Sequence, residues 1–145
     1  MARFAVAGRS TVAGTTLRAI ASLFATTAVR PIVREIGVFN TTVTAVAVSV
    51  VRFTNATGVG AGLTEVAESD TSRTAVATGF AGHTADGAVS SPVRQAVLGA
   101  AIGSGVIWTW GDQGLAIPNT AADGVGIICP TGTGQICDYY IIWDE

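Results

Sequence analysis

The chain has 145 residues and a formal net charge of −2, a length that fits a single domain. Charged residues make up only 12% of it, against about 25% in ordinary soluble domains, and its mean hydropathy is +0.51. A monomer with so few charges tends to associate, so the composition points either to a membrane span or to a surface hidden against other subunits.

The membrane explanation is the weaker one. A spanning helix needs about 20 consecutive apolar residues, and the two longest uncharged runs, 36–51 and 95–111, are shorter and interrupted by polar residues or glycine. We therefore expect no membrane partner and favour assembly with other subunits.

The first 34 residues contain five arginines and no acid, a composition that resembles a transit peptide. The simple interpretation is an N-terminal strand or arm with solvated arginines. The sharper one is an arm that lies on an acidic or partner surface. We take residues 1–16 as this arm and residues 17–145 as one domain.

Valine, threonine, isoleucine and alanine dominate the rest, which favours strands. Residues 17–24 are ambiguous, since apolar residues recur there at helical spacing, but the flanking residues favour a strand. Segment 43–53 is apolar on both faces, so we expect it to be covered on both sides. Further strands are predicted at 34–40, 72–80, 94–100, 104–110, 114–118, 123–129 and 135–143, with loops at 54–62 and 82–92.

Short strands at this spacing are typical of an all-β fold. The prediction is an antiparallel β-sandwich, jelly-roll-like, with an extended N-terminal arm.

The two cysteines flank a run of threonine and glycine near the end of the chain. If 132–134 forms a three-residue hairpin loop, Cys129 faces Cys137 on an apolar strand face. Buried, packed thiols are the favoured interpretation, and a cross-strand disulfide stays open for an oxidising setting. The absence of C-x-x-C disfavours a redox pair, and two cysteines with one histidine are too few for a zinc site.

Catalytic signals are sparse. His83, the only histidine, lies in a predicted loop near Asp86, and a loop histidine without a second signal is expected to be solvated. Glu65, Glu68 and Asp70 form the one acidic cluster and read as a solvated loop. No Walker A loop is possible without lysine, and scattered arginines with a pI near 5.2 argue against nucleic acid. We expect no enzymatic activity, no metal and no cofactor.

Trp108 and Trp110 share one face of a predicted strand. Paired tryptophans are expected in a core or an interface, with sugar binding as the alternative.

Several stretches together resemble a known group: AGRST near the start, VREIGVFNTT, RQAVLGAAIGSGVIWTWGDQGLAIP, GVGIICPTGTGQICD and the terminal IIWDE. They resemble small virion structural proteins of tailed actinobacteriophages, of the capsid decoration or minor capsid type. The resemblance covers nearly the whole chain and is weakest over 54–92.

This resemblance implies a jelly-roll-like sandwich, a homo-oligomer that is expected to be a trimer, and the major capsid protein as partner. The chain would decorate the capsid surface of a virion assembled in a bacterial cytoplasm, where the cysteines begin as thiols. The alternatives are a tail or fibre-tip component that binds a host receptor and a small hydrolase or lectin. Six residues are the interface candidates: Arg3, Phe4, Arg9, Arg18, Trp108 and Trp110.

Overall fold

A computed structural model describes residues 1–55, 59–131 and 133–145, and these residues contain twelve β-strands and no helix. The first six strands are Arg3–Arg9 (β1), Ala21–Phe24 (β2), Ile32–Asn40 (β3), Val46–Phe53 (β4), Ala61–Gly62 (β5) and Val66–Ala67 (β6). The last six are Thr78–Ala81 (β7), Arg94–Leu98 (β8), Gly105–Thr109 (β9), Leu115–Ala116 (β10), Gly124–Ile128 (β11) and Cys137–Asp144 (β12).

The strands form two antiparallel sheets. Sheet A has the order β10-β3-β12-β1-β6, and β9 pairs with β3 along the same side as β10. Sheet B has the order β5-β7-β2-β11-β4-β8. The chain therefore folds as an all-β, two-sheet structure, and this coarse part of the prediction is confirmed.

The main core lies between the sheets because each long strand buries alternate residues. β12 buries Tyr139, Ile141 and Trp143, while Asp138, Tyr140 and Ile142 are only half-buried. The facing positions of sheet B are Leu23 of β2 together with the buried valines and isoleucine of β4 and β11. Sequence alternation with a period of two thus places one apolar face of each sheet inside.

A second apolar cluster covers the outer face of sheet B. It contains Phe24, Val51, Phe53, Ala19 and Ile128. Segment 82–91 folds over this face and is held by backbone hydrogen bonds from Gly82 to Ile20, from His83 to Ala19 and from Ser90 to Arg52, each 2.9 Å long. The prediction that 43–53 is covered on both sides holds for most of β4, whose second cover this chain itself supplies, but it is wrong for residues 43–45, which are exposed.

The N-terminal segment differs from the expected extended arm. β1 lies inside sheet A, paired with β12 over seven residues from Arg3 to Arg9 and with β6 on its other side. Phe4 and Val6 enter the core because they alternate with the arginine-bearing outer positions. The segment forms a strand because its apolar residues alternate with its arginines. One face can therefore be buried in the core while the arginines stay on the outer face.

The predicted C-terminal hairpin is wrong. β11 belongs to sheet B and β12 to sheet A, so the connection between them crosses from one sheet to the other instead of turning back. Gly132, part of the predicted loop, lies outside the described residues, as do residues 56–58 of the loop predicted at 54–62. The strand interpretation of 17–24 is confirmed only for its second half, β2, and the strand predicted at 72–80 is replaced by the shorter β7.

Candidate interaction surface

The N-terminal arginines meet acids from the far end of the chain. Arg3 Nε donates to Asp144 Oδ1 at 2.8 Å, and Arg34 Nε donates to Asp144 Oδ2 at 2.7 Å. The side chain of Asp144 is 10% exposed. The hydrogen bond from Arg3, joined by the one from Arg34, holds the pKa of Asp144 below 3.8, although burial of the carboxyl works against them. One carboxylate therefore ties β1, β3 and β12 together.

Two further ion pairs are exposed. Arg9 Nε contacts Asp138 Oδ1 and Arg18 Nε contacts Asp86 Oδ1, both at 2.7 Å. The acid-free N-terminus is thus neutralised by acids that lie far away in sequence. Arg3, Arg9 and Arg18 are engaged within the fold, which removes the composition argument for an arginine arm that reaches a partner.

A cleft of about 520 Å³ opens on the outer side of sheet A. Its lining carries charges of both signs: Arg3, Arg34, Glu35, Glu68 and Asp112, beside Trp110. Arg34 Nη1 donates to the carbonyl of Asp112 at 2.7 Å, and Glu35 accepts a 2.6 Å hydrogen bond from the Tyr140 hydroxyl. Within the described part of the chain, no group of three histidine, cysteine or acidic side chains could hold a metal ion.

His83 is buried, so the expectation of a solvated loop histidine is wrong. It is 3% exposed and lies against the rings of Phe24 and Phe53, with centroids 6.1 and 5.2 Å away. Its Nε2 is 2.7 Å from Ser22 Oγ, and Nδ1 has no hydrogen-bond partner among the described residues. This Ser–His pair lacks both the orienting acid and the substrate access that a catalytic triad requires.

We expect folding stability to fall as the pH drops below about 6.5. Burial lowers the pKa of His83, so the folded protein disfavours the proton that the unfolded chain accepts. The contribution of neutral His83 to the free energy of unfolding is therefore fully present above the unfolded pKa. Below that pH it declines by at most about 1.4 kcal/mol per pH unit. Urea unfolding between pH 5 and 7.5 measures this slope.

The chain has one histidine, so a slope in this range reports His83. The matched control is His83→Gln, which keeps a polar partner for Ser22 and should unfold with a nearly flat pH profile. Equal slopes for the two proteins would contradict the assignment.

Both cysteines are free and buried, as favoured from the sequence. Burial, with a smaller contribution from Cys129, raises the pKa of Cys137 to about 12, and burial also raises the pKa of Cys129. Thiols held in this protonated state are poor nucleophiles. The two residues act as small apolar side chains at one end of the core.

The aromatic interface candidates divide into two kinds. Phe4 is 2% exposed and stacks on Trp143 at a centroid distance of 5.9 Å, so its side chain is not available to a partner and that assignment is corrected. Trp108 and Trp110 are half-buried and pack against the main core. Arg94 lies over the Trp110 ring at 5.9 Å, which is within cation–π range.

The most exposed large apolar side chains outside the N-terminus lie at one end of the sandwich, and sequence reasoning missed them. Val43, Val97 and Ile102, which we call the apolar tip, are 73, 72 and 72% exposed. Val43 and Ile102 lie on two loops joined by the fully buried Asn40. Asn40 Nδ2 donates to the carbonyls of Thr44 and Gly99 at 2.7 and 3.0 Å. These hydrogen bonds hold together the two loops that carry Val43 and Ile102, and Val97 lies on the neighbouring strand β8.

The sequence hid the tip because Val43 and Val97 stand in predicted strands, 43–53 and 94–100, whose apolar residues are expected to be buried. Ile102 alone lies outside a predicted strand, in a glycine-rich segment. Exposed apolar groups that lie near one another are candidates for a contact surface.

Comparisons with protein-family models, with curated proteins and with solved structures found no match to this chain. The class of protein that can be stated is an all-β protein built from two antiparallel sheets. The described residues include no helix long and apolar enough to cross a membrane.

Proposed function

We propose that this chain is a non-enzymatic virion structural protein that decorates the outside of a bacteriophage head. The observation that carries the proposal is the apolar tip. Three aliphatic side chains, each more than two thirds exposed, offer apolar area whose burial against a partner is favourable. In this proposal the partner is the major capsid protein, and the tip is the surface that contacts it.

The strand order supports a jelly-roll topology as part of the proposal. β1, β12, β3 and β9 are neighbours in one sheet, and β2, β11, β4 and β8 are neighbours in the other. An eight-stranded roll of two Greek keys, with β5 to β7 inserted as a side extension, accounts for this order. Jelly rolls are frequent in viral capsid proteins, but a fold alone does not assign a function.

The sequence resemblance described above is the second support. The stretches that carry it include β3, β8, β9 and β12, together with the loop that bears Ile102. Stabilisation of the shell follows from repetition, because many copies of a modest contact add up by avidity.

The test is to mix the purified protein with heads of the encoding phage and to measure co-sedimentation. We expect the wild-type chain to bind and Ile102→Ser to lose most of the binding, since its side chain is 72% exposed and makes no contribution to the core. Val66→Ser is the matched control, because Val66 is 59% exposed on the opposite side of the sandwich, and it should bind like the wild type.

Gold-labelled antibody against this protein, applied to intact phage particles, shows where on the particle the protein lies. Label over the heads supports the proposal. Label confined to tails supports the fibre-tip alternative, and no label on any particle overturns the virion proposal.

A further inference from the structure

The sheets end in four edges, and one of them lacks the usual protection against pairing with another chain. Among the described residues, β5 and β6 are two-residue edges, and glutamates flank β6. β8 begins with Arg94. β9, Gly105–Thr109, has five residues with no charge and no proline. Short strands, charges and prolines are the devices that keep sheet edges apart, and β9 has none of them.

Among the described residues, alternate backbone groups of β9 have no hydrogen-bond partner, in a pattern that the register to β3 sets. Asn40 N donates to Ser104 O at 2.7 Å, and Trp110 N donates to Arg34 O at 2.9 Å. In an antiparallel pair alternate residues exchange these bonds, so Val106 and Trp108 bond to β3 in the register that pairs them with Val38 and Ile36. The N–H and C=O groups of Gly105, Ile107 and Thr109 therefore point away from the sheet, and all three residues are exposed.

We infer that β9 is a pairing edge for a second copy of this chain, which adds its own β9 in antiparallel register about a twofold axis at Ile107. Each outward N–H then meets an outward C=O of the other copy. Ile107 lies opposite Ile107 of the second copy, and Gly105 lies opposite Thr109.

The second copy is the favoured occupant because the strand is complementary to itself in this register. Every opposed pair is uncharged, so no like charges face each other across the axis. Ile107, which is 52% exposed in one chain, is covered by its own counterpart. An isologous contact of this kind closes after two copies, so it gives a dimer with one continuous sheet in place of the trimer that the resemblance implies.

This inference refines the oligomer within the proposed function, and sedimentation velocity of the purified chain tests it without any phage particle. We expect a dimer for the wild type. Ile107→Lys should raise the dimer dissociation constant about tenfold or more, because two ammonium groups then face each other at the axis. Val66→Lys is the matched control, a comparably exposed valine near the opposite edge of the same sheet, and it should remain dimeric.

A charge-complementation experiment tests the register. The variants I107K and I107D should each dimerise more weakly than the wild type, and an equimolar mixture of them should form a heterodimer more tightly than either variant pairs with itself, since opposite charges then meet across the axis. Circular dichroism of each variant, matched to that of the wild type, establishes that the fold is intact.

A wild-type monomer, a trimer, or an I107K variant that dimerises like the wild type would each overturn the inference. A dimer whose particles show no gold label would leave the pairing edge standing and remove the virion proposal. Gold label on the heads together with a monomeric or trimeric protein would support the virion proposal and overturn the pairing edge.

Discussion

Phe4→Ala is expected to destabilise the protein by about 3–4 kcal/mol. The ring is 2% exposed and stacks on Trp143, itself completely buried in the main core. Removing it leaves a cavity between the sheets that β1 and β12 cannot close, because these strands are paired over seven residues. Urea unfolding followed by tryptophan fluorescence measures the loss.

The matched control is Arg9→Ala on the same strand. Its side chain is 65% exposed and its pair with Asp138 is open to solvent, so the stability should stay close to that of the wild type. A Phe4→Ala variant as stable as Arg9→Ala would show that β1 is a peripheral arm after all. Removal of residues 2–14 is expected to prevent folding for the same reason, since it takes out of sheet A a strand that pairs with both β12 and β6.

The strands of the core could be predicted because their signal is local. In β12 the residues at 137, 139, 141 and 143 share one face, and the sequence alternation alone predicts that this face is buried. In β4 both faces are apolar in the sequence, and both are largely buried in the structure. A period of two in the sequence becomes a period of two in burial without any knowledge of which strands are neighbours.

The misassigned features depend on contacts between residues far apart in sequence. Arg3 and Asp144 are 141 positions apart, and nothing in the first 34 residues indicates which acids will neutralise their arginines. The burial of His83 depends on hydrogen bonds from segment 82–91 to Ala19 and Ile20. The predicted hairpin between Cys129 and Cys137 is wrong for a related reason. A turn-like sequence between two strands does not show whether the strands pair in the same sheet.

The two sheets differ in what covers their outer faces, and this difference bears on the proposed function. Segment 82–91 and the second apolar cluster cover sheet B around β2, β11 and β4, while Val97 of its edge strand β8 stays exposed. Ile107 of sheet A and the apolar tip remain uncovered in the single chain. A chain that shields one sheet with its own loop and leaves apolar groups open elsewhere is suited to assembly at the open positions.

Asp144→Ala is expected to cost about 2–3 kcal/mol of stability. The carboxylate holds both Arg3 and Arg34, and its loss leaves Arg34, whose side chain is 22% exposed, without its acid. This loss of stability is smaller than the loss expected for a fully buried ion pair, because about half of the Arg3 side chain is exposed to solvent. Chemical unfolding at pH 7 and again at acid pH measures the effect.

The pH dependence has a definite sign. Hydrogen bonds from Arg3 and Arg34 lower the pKa of Asp144 beneath 3.8 in the folded protein, so its contribution is fully present above about pH 4 and is lost as the pH falls through the folded pKa. The difference between the wild type and Asp144→Asn should therefore be large at pH 7 and shrink below pH 4 as the wild-type carboxyl takes up its proton.

Asp86→Asn provides the matched comparison, because the Arg18–Asp86 pair has the same 2.7 Å separation but its side chains are 44 and 58% exposed. Solvent already screens that pair, so the change should have little effect at either pH. Equal losses of stability for Asp86→Asn and Asp144→Asn would contradict the idea that burial strengthens the Asp144 ion pairs. The contact of Asp144 with Arg3 and Arg34 would then stabilise the fold no more than a surface ion pair does.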